Sequence, residues 1–266
     1  MMIVFSANDA AYALAEHVSG SVPAFVDRMN EKAAELGMTG THFVTPNGLH
    51  DDNHHSTARD IATLSRYCIG VPEVMRLASL ESTTMPDGKV IYNTNKLLFW
   101  CDGADGLKTG TTLLAGHCLA ATAERDSMRL IAVSMGSVSD YGHYIDAMKL
   151  LEYGFANYTT STVVTAGEDF GKADVLYGKE DQVSLIAAAD IVIPVRKGES
   201  VEPQIDAEIA GDIEGPASAG VDVGDIIVSV NGEEVGRTDL ITAEDIHKRS
   251  ILQWLKDFFE ALINEV

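Results

Sequence analysis

The first seventy residues carry their hydrophobic side chains at the three- and four-residue spacing of amphipathic helices. The first predicted helix buries a face made of Ala11, Leu14, Ala15 and Val18. A second helix is predicted from Val22 to Leu36, with Ser21 as its N-cap. A third begins at Thr57 and Asp60, which are spaced like an N-terminal cap pair. Helices are therefore expected to dominate this stretch.

After Pro72 the pattern changes to short runs with strand character. Pro86-Asp87-Gly88 separates two such runs and predicts a hairpin. Three further strands are predicted, at 107–111, 117–123 and 128–135. A helix is predicted from Asp140 to Tyr158, and its apolar residues on one face are Tyr144, Ile145, Met148, Leu151 and Phe155. These elements predict an α+β domain over residues 1–159, with helices around a small antiparallel sheet.

The pattern changes again near residue 160, where short β-branched runs are separated by Gly, Asp and Pro. We expect a small β-sandwich-like domain at 160–247, with Asn231-Gly232 as a hairpin turn. Residues 248–266 predict a terminal amphipathic helix, whose apolar face holds Ile251, Leu252, Leu255, Phe258, Phe259, Leu262, Ile263 and Val266.

The composition of the chain limits the classes of molecule that it is expected to bind. The chain has 266 residues, 46% of them hydrophobic, which is enough for one large or two modest cores. Its net charge of −21 disfavours binding to nucleic acid and broad attraction to anionic membranes. The three cysteines Cys68, Cys101 and Cys118 are far apart and lack metal-binding spacing. They are interpreted as small buried side chains, and no cofactor is expected.

A histidine-rich loop offers a metal site as an alternative. His50, His54 and His55 lie beside Asp51 and Asp52 in a segment without helical character. His50 and His54 are four residues apart, but in a loop they do not share the helix face that metal-binding histidine pairs use. We therefore predict no metal at this loop.

Two short motifs carry chemistry. Lys108-Thr109-Gly110-Thr111 places a cation, hydroxyl groups and bare backbone on one strand, which is an arrangement suited to docking a carboxylate. Ser6-Ala7-Asn8 lies about a hundred residues upstream. Local sequence alone leaves open that Ser6 caps a helix, that Asn8 forms a turn and that Lys108 is a solvated strand residue.

Four segments in order resemble the low-molecular-mass penicillin-binding proteins, the D-alanyl-D-alanine carboxypeptidases. They are Ser6 to Ala11, Thr45 to His50, Ser56 to Asp60 and Asp105 to Thr112. The resemblance implies a penicillin-binding/β-lactamase-like transpeptidase fold for 1–159, only part of which is present. It also implies, as partners, peptidoglycan stem peptides ending in D-Ala-D-Ala and, for a full-length protein, β-lactams.

The resemblance also implies roles for the motif residues. Lys108 and Thr109 recognise the terminal carboxylate of the substrate, and Gly110 and Thr111 extend the strand edge along which an extended peptide pairs. Ser6 relays a proton to the departing amine, and Lys108 polarises it. Asn8 holds the acyl side of the substrate.

The nucleophile motif Ser-x-x-Lys does not occur in the sequence, because none of its ten lysines follows a serine by three positions. Only five residues precede Ser6, so the chain is interpreted as an N-terminally truncated member that does not turn over substrate alone. The alternative is a non-catalytic descendant that binds stem peptides or the membrane.

Two further expectations concern location and the second half. The resemblance implies an extracytoplasmic protein that is peripherally membrane-associated through residues 250–266, although docking of that helix onto the second domain is an alternative. Pro216 to Gly232 is also similar to the core of PDZ peptide-binding modules, which would make the second half a peptide-binding domain.

Overall fold

The computed structural model describes residues 1–250. The chain divides into two compact units, Met1–Asn157 (unit 1) and Tyr158–Val266 (unit 2). The sequence predicts this division near residue 159. Each unit has its own hydrophobic core.

Unit 1 combines helices with a small antiparallel sheet. Its helices are α1 (Met2–Phe5), α2 (Asn8–Ser19), α3 (Val22–Glu35), α4 (Ala58–Ile69), α5 (Pro72–Ala78), α6 (Leu97–Trp100) and α7 (Gly142–Asn157). Its strands are β1 (Ser82–Thr84), β2 (Val90–Tyr92), β3 (Ala104–Thr112), β4 (Gly116–Arg125) and β5 (Met128–Ser137). The predicted mixture of helices and strands is confirmed.

The sheet of unit 1 has the order β3-β4-β5, so β3 lies at an edge. Helix α7 packs against β4 and β5, while α4 and α5 also contact the sheet. Every second residue of β4 from Leu119 to Ala123 faces α7, where Leu119, Ala121 and Ala123 join Ala147 and Leu151 in one core. The separate β1–β2 hairpin forms around the predicted turn.

The predicted N-terminal caps of two helices are confirmed. The Ser21 hydroxyl accepts a hydrogen bond from the backbone N–H of Ala24 at the start of α3. Thr57 accepts one from the N–H of Asp60 at the start of α4. Both interactions lie within four residues of chain, which is why the sequence predicts them.

Two predicted core positions are wrong, and Ile145 does not lie on the helix face predicted for it. Leu14 and Val18 of α2 are 45% and 51% exposed, and Ile145 of α7 is 48% exposed. Helix α2 buries only the small Ala11 and Ala15, and it packs against α1 and α3. Helix α7 turns the face of Tyr144, Ala147, Leu151 and Gly154 inward, and Ile145 lies about 100° around the helix from Tyr144.

Unit 2 is built from strands in the part of it that the structure describes. They are β6 (Tyr158–Val164), β7 (Asp169–Leu176), β8 (Gln182–Ala187), β9 (Ile191–Arg196), β10 (Gln204–Ile209), β11 (Ile213–Glu214), β12 (Asp222–Val230) and β13 (Glu233–Thr242). One sheet has the order β10-β12-β13-β8-β7-β11, and β6 pairs with β9 in another. Side chains from both sheets share one core, which includes Val164, Val183, Leu185, Ile191, Ile193, Ile226, Val228 and Leu240.

The predicted hairpin at Asn231-Gly232 joins β12 to β13, and both residues have positive φ, 54° and 82°. The start predicted for the terminal helix is wrong, because Lys248 forms an antiparallel β-bridge with Gly178. The rest of that predicted helix, positions 251–266, lies outside the described residues.

Candidate active site

Ser6 lies at the junction of α1 and α2 in an unusual backbone conformation. Its φ and ψ are 60° and 39°, a left-handed conformation that costs a non-glycine residue about 1–2 kcal/mol. Ala7 is the N-cap of α2 and makes no side-chain cap bond, and Asn8 is the first residue of α2. The interpretation of Ser6 as the N-cap of this helix is therefore wrong. Ser6 is exposed, and its hydroxyl faces a different partner.

That partner is Lys108 on β3. Lys108 Nζ donates a hydrogen bond of 2.8 Å to Ser6 Oγ and another of 2.7 Å to the carbonyl oxygen of Thr109. Among the described residues these two acceptors leave one ammonium N–H for a ligand. Burial lowers the pKa of Lys108 to about 8, because the charged form loses solvation. The ammonium therefore remains mostly charged at neutral pH and is a stronger acid than an exposed lysine.

Three neighbours of Lys108 line the edge strand. Thr109 Oγ1 shares a 2.7 Å hydrogen bond with Thr94 Oγ1, and Thr111 Oγ1 lies 3.2 Å from His117 Nδ1. Gly110 is exposed, and a Cβ there would meet no atom within 4 Å. Packing within the described chain therefore does not require glycine at 110, whereas an extended ligand pairing along β3 would approach this bare backbone closely.

Thr94 supports the site, and the sequence analysis missed it. Its N–H donates to the Val4 carbonyl at 3.0 Å, and its own carbonyl accepts a 2.7 Å hydrogen bond from Tyr144 Oη. Thr94 thereby links the helix that leads into Ser6, the strand that carries Thr109, and α7. The only sequence signal was the polar run Asn93-Thr94-Asn95 before an apolar segment.

Asn95 and Asp105 fix the strand from its other end. The fully buried Asn95 donates from Nδ2 to the Gly106 carbonyl at 2.9 Å. Asp105 lies within β3 and pairs with Arg129 of β5 at 2.5 Å. Arg129 also pairs with Glu124. This ion-pair network holds the start of β3 against the sheet.

The histidine-rich loop is organised by hydrogen bonds. His54 Nδ1 accepts from the backbone N–H groups of Val44 and Thr45 at 3.1 and 3.3 Å. His50 pairs with Asp52 at 3.2 Å. Within residues 1–250 no group of three or more His, Cys, Asp or Glu side chains is arranged to hold a metal ion.

Comparison with known proteins identifies the family of this chain. The family model described as D-alanyl-D-alanine carboxypeptidase matches residues 1–139. This chain belongs to the D-alanyl-D-alanine carboxypeptidase family. A second model, described as the C-terminal domain of penicillin-binding protein 5, matches residues 158–248. That match includes Pro216 to Gly232, the segment similar to PDZ modules.

Relatives of this carboxypeptidase family align along almost the whole chain. D-alanyl-D-alanine carboxypeptidase DacA of Haemophilus influenzae is 35% identical over 262 residues, which are 97% of this chain and 66% of DacA. The structure of penicillin-binding protein 5 from H. influenzae is 36% identical with a TM-score of 0.70, covering 93% of this chain and 73% of that one. This chain therefore spans about two thirds of the length of such a relative.

A third neighbour carries bound antibiotics. Structures of penicillin-binding protein D2 from Listeria monocytogenes, in cefotaxime- and ampicillin-bound forms, are 38% identical to this chain with a TM-score of 0.54. Each alignment covers 58% of this chain. The same alignments cover 63% of the cefotaxime-bound Listeria chain and 64% of the ampicillin-bound one.

Proposed function

We propose that this chain contributes the substrate-recognition wall of a serine-type D-alanyl-D-alanine carboxypeptidase, which removes the terminal D-alanine of peptidoglycan stem peptides. The observation that carries the proposal is the 2.8 Å hydrogen bond between Lys108 Nζ and Ser6 Oγ. It joins the two motifs across 102 positions of sequence, within a region that matches the carboxypeptidase family.

Recognition centres on the terminal carboxylate of the substrate. The remaining N–H of the Lys108 ammonium forms a charge-assisted hydrogen bond with that carboxylate, and the Thr109 and Thr111 hydroxyls add polar contacts beside it. The backbone of Gly110 pairs with the extended peptide. A free carboxylate is what distinguishes the end of a stem peptide from its interior, so this set of groups selects a carboxypeptidase substrate.

Proton transfer to the departing D-alanine is assigned to Ser6. Its Oγ accepts a hydrogen bond from Lys108, so its own proton is directed elsewhere, toward the leaving amine. A lysine whose pKa is lowered to about 8 can replace the proton that Ser6 gives up near neutral pH. Asn8, with one amide donor pair and one acceptor, holds the acyl side of the substrate.

The sequence contains no Ser-x-x-Lys, so we propose that these 266 residues bind the peptide without turning it over. That makes a non-catalytic stem-peptide binder the second candidate. β-Lactams are proposed as ligands of a chain that carries the nucleophile, in keeping with the antibiotic-bound Listeria neighbour.

An extracytoplasmic location follows from the proposed substrate. Among the helices that the structure describes, none has both the length and the apolar character needed to cross a bilayer. Peripheral membrane attachment through residues 250–266 stays a prediction.

The test is a binding titration of the 266-residue chain, followed by NMR, with diacetyl-L-Lys-D-Ala-D-Ala. Lys108→Met keeps the length of the side chain but removes the charge, and loss of a charge-assisted hydrogen bond of about 1.5–3 kcal/mol predicts at least tenfold weaker binding. Lys149→Met, on the exposed side of α7, is the matched control and should bind like the unmodified chain.

Equal affinity of the Lys108→Met and Lys149→Met variants would refute the recognition role. Fluorescent penicillin added to the same samples is expected to leave no covalent band. A labelled band would contradict the proposal that this chain lacks turnover.

A further inference from the structure

The edge of strand β3 is covered at its amino end and open toward its carboxyl end. Gly106 and Leu107 are buried, and the Gly106 carbonyl accepts a 2.9 Å hydrogen bond from Nδ2 of Asn95. Beyond Lys108 the strand becomes exposed at positions 110–111. A peptide whose carboxylate is bound at Lys108 therefore extends along β3 toward the carboxyl end of the strand.

The strand leads into a turn that presents two adjacent leucines to solvent. Thr112 of β3 pairs with Gly116 of β4, and Leu113, Leu114 and Ala115 connect them. Leu113 is fully exposed and Leu114 is 75% exposed, so the core of unit 1 does not use them. Turn positions favour Gly, Asn, Asp, Pro and Ser, so the formation of this turn does not call for leucine. We call this pair of residues the leucine tip.

The turn holds the leucine tip in a fixed place. The backbone N–H of Ala115 donates a 3.0 Å hydrogen bond to Thr112 Oγ1. Gly116 has a φ of 66°, and a Cβ there would lie 2.7 Å from the carbonyl oxygen of Ser137 on β5. The end of the turn is thus packed closely against the neighbouring strand β5, which limits how far the leucines can move with the turn.

The spacing of residues along β3 places the leucine tip within reach of the bound peptide. Paired strands advance by about 3.3 Å per residue, so each peptide residue takes up about one residue of β3. With the carboxylate at Lys108 and Thr109, the last two peptide residues lie along Gly110 and Thr111. The third residue from the carboxyl end then reaches Thr112 and the leucine tip.

The chemistry of the turn favours an uncharged aliphatic group. From Thr109 to Gly116 the sequence contains no charged residue. Burial of apolar side-chain surface against the leucine tip is favourable, because it removes that surface and the leucines from water. In diacetyl-L-Lys-D-Ala-D-Ala the third residue from the carboxyl end is an acetylated lysine, which is long, aliphatic and uncharged.

We propose that the leucine tip is a specificity-determining subsite that binds the aliphatic side chain of the third residue from the carboxyl end of the peptide. This inference rests on the proposed function, because it takes the terminal carboxylate as the ligand of Lys108. It adds an apolar contact at the far end of β3 to the recognition of charge at Lys108, so that the chain reads both the end of the peptide and a side chain before it.

The experiment compares the affinities of two peptides for the 266-residue chain, diacetyl-L-Lys-D-Ala-D-Ala and N-acetyl-L-Ala-D-Ala-D-Ala. They share the terminal carboxylate and the backbone, and they differ in the aliphatic side chain. Contact of that side chain with the leucine tip predicts about three- to tenfold tighter binding of the lysyl peptide. NMR of the same complex should show nuclear Overhauser effects between the lysine methylenes and the methyl groups of Leu113 and Leu114.

Two variants test whether the leucine tip causes the preference. The double variant Leu113→Ser with Leu114→Ser keeps residues that suit a turn, and it should bind the two peptides with about the same affinity. Leu150→Ser makes the same change at a leucine of α7 that is 51% exposed, and it should retain the ratio of the unmodified chain.

The outcomes separate this inference from the function on which it rests. Peptide binding that depends on Lys108 but is equally tight for both peptides overturns the role of the leucine tip alone. So does a preference that survives in the double variant, that Leu150→Ser also loses, or that comes without the methyl contacts. If the unmodified chain binds neither peptide, both the proposed function and this inference are refuted.

Discussion

Lys108 shows how one residue combines a cost in stability with a role in binding. Its ammonium is half-buried against β3, and burial depresses its pKa from 10.5 to about 8. A group whose charged form is disfavoured in the folded state destabilises the fold at every pH where both states bind the proton. The hydrogen bonds to Ser6 and the Thr109 carbonyl offset part of this cost.

Lys108→Met tests this cost through its pH dependence. Below about pH 8 both states of the unmodified chain carry the charge, and between 8 and 10.5 the folded state has lost it while the unfolded state keeps it. The stability of the unmodified chain relative to Lys108→Met should therefore rise by about 1–3 kcal/mol over that interval. Urea denaturation of both proteins at pH 7.5 and pH 10.5 measures the change, and a constant difference would exclude a depressed pKa.

The sequence predicted those residues of the candidate site that belong to a recognisable motif. The resemblance to known carboxypeptidases pointed to Ser6 and Lys108, which no local rule joins across their separation. Thr94 was missed, because its contacts come from packing between distant segments. A local sequence pattern predicts the helix or strand to which a side chain belongs. It does not predict which other helix or strand that side chain will contact.

The loop between α3 and α4 depends on a neutral histidine. His54 Nδ1 accepts two backbone hydrogen bonds, from Val44 and Thr45, and a protonated Nδ1 would be a donor facing donors. Burial is the first cause that lowers the pKa of His54, and the lone pair is thereby kept available. The loop is consequently built for pH values above the ordinary histidine pKa of about 6.5.

Acidification should loosen this loop. The unfolded loop takes up a proton as pH falls through about 6.5, before the folded loop does, so protection decreases as pH drops toward the lowered pKa of His54. Hydrogen-exchange protection factors of the Val44 and Thr45 amides should be lower at pH 5 than at pH 7. His54→Asn, with an amide oxygen as acceptor, should make them independent of pH. Equal protection of the unmodified loop at both values would contradict this.

Elements were predicted well where their signals are local. The Ser21 and Thr57 caps, the hairpin around Pro86 to Gly88 and the Asn231-Gly232 turn all depend on residues a few positions apart. The exposed Leu14, Val18 and Ile145 show the limit of periodicity. The spacing of hydrophobic residues identifies an apolar stripe along a helix. How much of that stripe is buried depends on the element that packs against the helix.

At the scale of the whole chain, each of the two units has its own hydrophobic core. Unit 1 holds the candidate site around the core of β4 and α7, and unit 2 holds the separate core between its two sheets. The net charge of −21 repels anionic peptides at long range, so recognition of a carboxylate depends on the local field of Lys108 rather than on the molecule as a whole.

Separate cores predict separate unfolding. Ile226 is fully buried in unit 2, so Ile226→Ala should destabilise that unit by about 2–5 kcal/mol. Leu119→Ala removes a side chain that is 1% exposed from the core of unit 1 and is the matched variant. Hydrogen exchange followed by mass spectrometry along a urea gradient resolves both units. Ile226→Ala is expected to shift the loss of protection in β8, β12 and β13 to lower urea while β4 and α7 keep theirs, and Leu119→Ala should do the reverse. If either substitution moves both sets of peptides together, the two cores unfold as one cooperative body, and the candidate site depends for its stability on unit 2.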